Sequence, residues 1–138
     1  MRRYLLAGIA VLAAGCGGYG DDDEGEQTGA VATTPIQTIT ISETDFALDP
    51  SSVDLEKPGT YAFEVVNDGQ VAHALEVEGE GIEEETKTLQ PGERATLTVD
   101  LEAGSYELYC PVGDHKERGM TGKVEIKADP AEDSGYGY

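Results

Sequence analysis

Apolar and polar positions alternate through the middle of this chain. Ile39 and Ile41 alternate with Thr38 and Thr40, and Tyr61, Phe63 and Val65 with Ala62 and Glu64. Leu75 and Val77 alternate with Glu76 and Glu78, and Leu97, Val99 and Leu101 with Thr98 and Asp100. Tyr106 and Leu108 flank Glu107, and Val124 and Ile126 flank Glu125. Successive side chains of an extended strand point to opposite faces, so this period of two predicts strands with one buried and one solvated face. Turn-forming clusters separate them: Lys57-Pro58-Gly59, Asn67-Asp68-Gly69, Gln90-Pro91-Gly92 and Ala103-Gly104. No segment carries a long 3.6-residue period, although the acidic stretch from Glu80 to Thr88 has room for a short turn of helix. Several short strands in about 95 residues predict an all-β antiparallel sandwich or barrel. An immunoglobulin-like sandwich closed by an inter-sheet disulfide is excluded, because the strand region holds one Cys.

The ends follow a different pattern. Arg2 and Arg3 precede an apolar run from Tyr4 to Ala14. That run is too short to span a bilayer as a helix and has the layout of a secretory signal, predicted over residues 1–15. Ala13-Ala14-Gly15-Cys16 resembles the lipobox of bacterial lipoproteins, with Ala13 standing where Leu is usual. The resemblance implies a lipidated Cys16 and a protein held at the outer face of a membrane. A plain signal peptide that leaves Cys16 without a role, or a disulfide between Cys16 and Cys110, are the alternatives. On each of these readings the mature protein lies outside the cytoplasm. Residues 16–34 hold five acidic side chains among glycines and read as an extended linker, because like charges repel and Gly does not stiffen the chain. The folded domain is expected over residues 35–128, followed by a flexible acidic tail over 129–138.

Composition narrows the function. A chain of 138 residues holds one domain of ordinary size. Nine basic against 28 acidic residues give a net charge of −19, which excludes a nucleic-acid binder working by phosphate neutralisation. The scarce types say more. The chain has two Cys, two His and two Met, one of them the initiator, so one compact mononuclear site is the most that soft ligands allow.

Within the strand region the soft donors are His73, Cys110, His115 and Met120. Three of them fall in the single stretch from Cys110 to Met120, between two expected strands. By parity His73 shares a face with Leu75 and Val77, and Cys110 with Tyr106 and Leu108, so both point inward. His73 begins its strand and Cys110 ends its own. Antiparallel alignment therefore puts them at one end of the sandwich, under the loop that carries His115 and Met120. Taken singly, each has a plain explanation: a satisfied core His, a small buried Cys, a Met filling a loop. Together they make a thiolate, two imidazoles and a thioether, a set that favours copper or zinc. A trigonal His₂Cys plane with a weak axial Met is the blue-copper electron-transfer site.

At this point the sequence resembles the cupredoxin (plastocyanin–azurin) family over about residues 35 to 128. The resemblance rests on Leu55 to Phe63, on Asn67-Asp68-Gly69 before His73, and on a loop with four residues between Cys110 and His115 and four between His115 and Met120, running into Thr121-Gly122. That loop spacing is closest to the auracyanin and rusticyanin type. The family implies a Greek-key β-sandwich, one type 1 copper ion held by His73, Cys110, His115 and Met120, and outer-sphere electron transfer rather than enzymatic catalysis. One departure stands out: Ala74 follows the first His, where the family often has an Asn or Ser that braces the copper loop. Expected partners are other redox proteins, of the cytochrome or copper type, and the membrane through the lipid anchor, with the domain itself a monomer. Lys116, Arg118, Lys123 and Lys127 oppose Asp114, Glu117 and Glu125 in residues 110–127, so this end is nearly neutral and is the expected docking face. A copper carrier using the same ligands without a dedicated electron-transfer role is the alternative function. A Cys110–His115 nucleophile pair lacks an evident orienting acid or oxyanion site.

Overall fold

A computed structural model describes residues 33–131 of the chain. Cys16, the signal segment, the linker up to residue 32 and the tail beyond 131 lie outside the described residues. The described part is built from nine strands: β1 (Gln37–Thr44), β2 (Ala47–Asp49), β3 (Ser52–Leu55), β4 (Gly59–Asn67), β5 (Glu76–Gly79), β6 (Ile82–Glu85), β7 (Arg94–Leu101), β8 (Gly104–Tyr109) and β9 (Thr121–Ile126). They form a four-stranded sheet in the order β2-β1-β4-β7 and a five-stranded sheet in the order β3-β9-β8-β5-β6. Inward residues of the first sheet, including Ile39, Ile41, Phe63, Val65 and Val99, share one core with Val53, Val77, Tyr106, Leu108 and Val124 of the second. Each such side chain stabilises the fold by about 1.5–3 kcal/mol relative to exposure, so this single seam holds the sandwich together.

The alternating segments became strands as expected, but the sandwich is not wholly antiparallel. β1 runs parallel to β4, with Ile41 opposite Val65, and β3 runs parallel to β9, with Val53 opposite Val124. The reason lies in the connections. β2 folds back on β1, the chain then crosses to the other sheet as β3, and it re-enters the first sheet as β4. A strand that arrives from the opposite sheet needs no hairpin and is free to lie parallel to its neighbour.

The acidic stretch is a correction. In place of a helical turn after Glu80, the chain forms the edge strand β6, paired with β5 so that Glu76 faces Glu85 and Glu78 faces Glu83. Glu80 and Gly81 form the two-residue connection, with φ of 46° and 83°. Two successive left-handed residues make the hairpin turn whose twist suits the flanking strands. Glu is an uncommon residue there, which hides the turn from a search for Asn-Gly or Asp-Gly. A strand edge dense in carboxylates also resists pairing with another chain.

Candidate metal centre

The register between β5 and β8 decides where the soft donors meet. Glu76, the first residue of β5, lies opposite Tyr109, the last of β8. The residues just before β5 and just after β8 therefore share one end of the sandwich. Cys110 is the next residue beyond β8. His73 is held three residues before β5 by a two-way backbone bridge to Leu89, with N···O distances of 3.0 and 2.7 Å. The loop after Cys110 folds back on itself: His115 N–H donates to Val112 O, Met120 N–H to His115 O, and Cys110 N–H to Met120 O, each at 3.1 Å. Gly113 and Gly119 take φ of 52° and 103° within it, conformations that cost a side-chain-bearing residue energy.

The outcome is a cluster of three donors. His73 Nδ1 and His115 Nδ1 lie 3.2 Å apart, and Cys110 Sγ lies 3.9 Å from the first and 3.5 Å from the second. These atoms form the one group among the described residues with the spacing to hold a metal ion. The centre of their triangle lies about 2.1 Å from each, the length of a metal–imidazole bond. His73, Cys110 and Met120 are fully buried, and Met120 packs into the same core as Cys110 while its backbone bonds to both Cys110 and His115. All four residues expected from the sequence thus come to one end of the sandwich. The donor set fits a soft, four-coordinate ion.

The surroundings finish the site. Burial pushes the Cys110 thiol up from its ordinary pKa, and the amides of Ala74 and Val112, which donate to the sulfur, offset this in part. Metal binding must therefore displace a proton from sulfur, which makes affinity fall with pH. Asp45 and Phe46 form the tight turn between β1 and β2, where Thr44 pairs with Ala47. Phe46 meets His115 edge-on at 4.9 Å and His73 at 6.4 Å between ring centroids. His115 is therefore half-buried instead of freely exposed on its loop. Asp45 accepts from the Gln70 amide and lies 2.8 Å from His73 Nε2, and these bonds hold its carboxyl below the usual range. Asn67 braces the approach to His73: its Nδ2 donates to Val71 O and Leu89 O, and its Oδ1 accepts from Gly69 N–H.

Sequence reasoning missed Asp45, Phe46 and Glu43. The turn at 45–46 carries no turn-forming dipeptide, so nothing local marks it as part of the site. Glu43 had a signal: by parity it shares the inward face of Ile39 and Ile41, an unusual place for a carboxylate. The basic loop residues also read differently in three dimensions. Lys116 pairs with Glu107 at 3.0 Å and lies 3.6 Å over the Tyr109 ring, and Arg118 pairs with Asp114 at 2.9 Å and stacks 4.7 Å over Phe46.

A sequence model of the cupredoxin-like domain matches residues 21–124. The chain belongs to this family. Among solved structures, this cupredoxin is similar to auracyanin B, with 19% identity, a TM-score of 0.62, and coverage of 70% of this chain and 93% of that one. A dithionite-reduced auracyanin from the photosynthetic bacterium Roseiflexus castenholzii gives 20% identity and a TM-score of 0.58, covering 68% and 99%. Auracyanin A, a blue copper protein of the green thermophilic photosynthetic bacterium Chloroflexus aurantiacus, gives 18% and 0.57, covering 68% and 100%. At these identities the likeness establishes the shared fold. No curated protein sequence matches the chain.

Proposed function

We propose that this cupredoxin is a mononuclear blue copper protein that passes single electrons between redox proteins outside the cytoplasm. One observation carries the reading: two imidazole Nδ1 atoms and a buried sulfur form a triangle of 3.2, 3.5 and 3.9 Å at the end of a cupredoxin sandwich. When bound there, copper supplies a one-electron couple between Cu(I) and Cu(II). His73, Cys110, His115 and Met120 would hold it, two imidazoles, a thiolate and a thioether. The loop closure, the two amides on sulfur and the buried Met restrict donor movement, which suits a site that keeps its shape in both oxidation states. The deciding measurement is the visible and electron-paramagnetic spectrum of the copper-loaded protein. An intense thiolate-to-copper band with narrow copper hyperfine splitting supports electron transfer. A colourless copper complex, or copper released readily to a competing acceptor, favours the carrier alternative.

Met120 gives a graded test. Met120→Leu is expected to retain copper and raise the reduction potential, because the variant loses a weak thioether donor that would favour Cu(II). A tenfold change in the Cu(II)/Cu(I) preference corresponds to about 59 mV for one electron, the order of shift expected in voltammetry. Loss of copper from this variant would remove Met120 from the ligand set.

The site would work from a membrane surface, with the domain held through lipid on Cys16 and partners meeting the loop end around His115. Mass spectrometry of the protein from its native membrane is expected to show an N-terminal diacylglyceryl Cys16. An unmodified, soluble mature form would refute the anchor and leave the copper site unaffected.

A further inference from the structure

Asp45 lies outside the four donors yet touches one of them. Its Oδ1 is 2.8 Å from His73 Nε2 and 3.0 Å from the Gln70 amide nitrogen, and its Oδ2 is 2.9 Å from that same nitrogen. The Val71 amide reaches Oδ1 at 3.4 Å. His73 itself is fully buried, and its other ring nitrogen faces Cys110 and His115. A neutral imidazole carries one N–H, and an ionised carboxylate has only lone pairs to offer. The pairing therefore places the ring proton on Nε2 and leaves the Nδ1 lone pair directed at the donor triangle. The backbone leaves room for this contact: a Cβ on Gly69 would collide with Asp45 Oδ1 and His73 Nε2.

We propose that Asp45 is the positioning residue of the copper site, fixing the His73 tautomer and ring angle and adding negative charge behind the ligand. The proposal rests on the copper reading above and deepens it. Ala74, the residue after His73, has no polar side chain with which to brace the site. Asp45 provides a brace from a different element, the turn between the first two strands, and ties that turn to the loop before His73. A carboxylate behind a ligating imidazole raises the basicity of the ring and stabilises the higher-charged metal state. Asp45 should accordingly strengthen Cu(II) binding and lower the reduction potential.

Two variants separate position from charge. Asp45→Asn keeps an acceptor oxygen, which the Gln70 amide orients, and removes the charge. Asp45→Ala removes both. Ring-nitrogen NMR of the metal-free protein is expected to show His73 as the Nε2–H tautomer in the wild type and in Asp45→Asn, and as a tautomer mixture in Asp45→Ala. Copper loading should give a Cu(II) affinity lowered 10- to 100-fold in Asp45→Ala. In Asp45→Asn the Cu(II)/Cu(I) preference should move about tenfold towards Cu(I), a rise of about 59 mV. A brace acting only on the Gln70–Val71 loop would alter stability in both variants and leave tautomer and potential unmoved, which would overturn the proposal. Gly69→Ala, which crowds the same contact, should reproduce the tautomer mixture if Asp45→Ala fails to fold. Should the wild type bind no copper, the function reading falls, and the metal-free NMR still decides whether Asp45 sets the His73 ring.

Discussion

Cys110→Ser is expected to give a folded protein without the blue absorption band and with Cu(II) affinity lowered more than about 100-fold, beyond the usual cost of changing an outer-shell partner. With copper bound, Cys110 would be the one anionic donor in the triangle and the source of charge-transfer intensity. A serine hydroxyl does not ionise in the accessible pH range, so the variant offers the ion two imidazoles and a weak neutral oxygen. The fold should survive, because Ser is close to Cys in size and its oxygen can still accept from the Ala74 and Val112 amides that serve the sulfur. The cost in stability should stay within about 1–2 kcal/mol, the ordinary range for a single buried change. Copper titration followed by visible absorption, with far-ultraviolet circular dichroism for the fold, checks both parts. A variant that keeps the band would remove Cys110 from the site. In the wild type the raised thiol pKa adds a pH arm: copper uptake should release a proton and weaken as pH falls.

The second large effect belongs to Glu43, which takes no part in the donor triangle. Its side chain is fully buried on the inward face of β1, beside Asn67 in the parallel register, and neither carboxylate oxygen has a hydrogen-bond partner. Burial raises its pKa from 4.5 to about 7. Such a group favours the folded state while protonated and opposes it once ionised. Below about pH 4.5 both folded and unfolded chains hold the proton and there is no penalty. Between about 4.5 and 7 the unfolded chain releases its proton first, and stability falls as pH rises. Above about 7 the full cost applies, roughly 3 kcal/mol at 1.36 kcal/mol per pKa unit. Glu43→Gln removes this titration. In the metal-free protein the two forms should be about equally stable near pH 4.5, with the variant ahead by roughly 3 kcal/mol at pH 8. Denaturant unfolding at the two pH values measures the difference. A difference that does not change with pH would mean that Glu43 finds a partner in solution.

Much of the fold and the candidate ligand set could be read from the chain because both rest on local regularities. A period of two marks β1, β4, β7, β8 and β9, since pleated backbone sends alternate residues to opposite faces wherever one face is buried. Cys110, His115 and Met120 lie within eleven residues, so their proximity needs only a loop closing on itself. His73 needs one long-range fact, that β5 lies antiparallel to β8, and the order of strand ends anticipates it. Parity does not hold there, since His73 lies three residues before β5 and Ala74 and Glu76 are buried along with His73, Leu75 and Val77. The short strands β2 and β3 were not legible, because three or four residues give too little alternation. The hairpin at Glu80-Gly81 was hidden by a residue uncommon in such turns.

What the sequence determined by itself was the all-β class, the inward faces and the identity of the soft donors, each a property of neighbours along the chain. Tertiary structure alone decided that two strand pairs run parallel, that Phe46 covers His115, and that the Asp45 carboxylate reaches the far nitrogen of His73 across 28 positions of sequence. These contacts depend on the crossing of the chain between sheets. The crossing brings the inward residues of both sheets into one core, and no local pattern encodes where along the chain it happens.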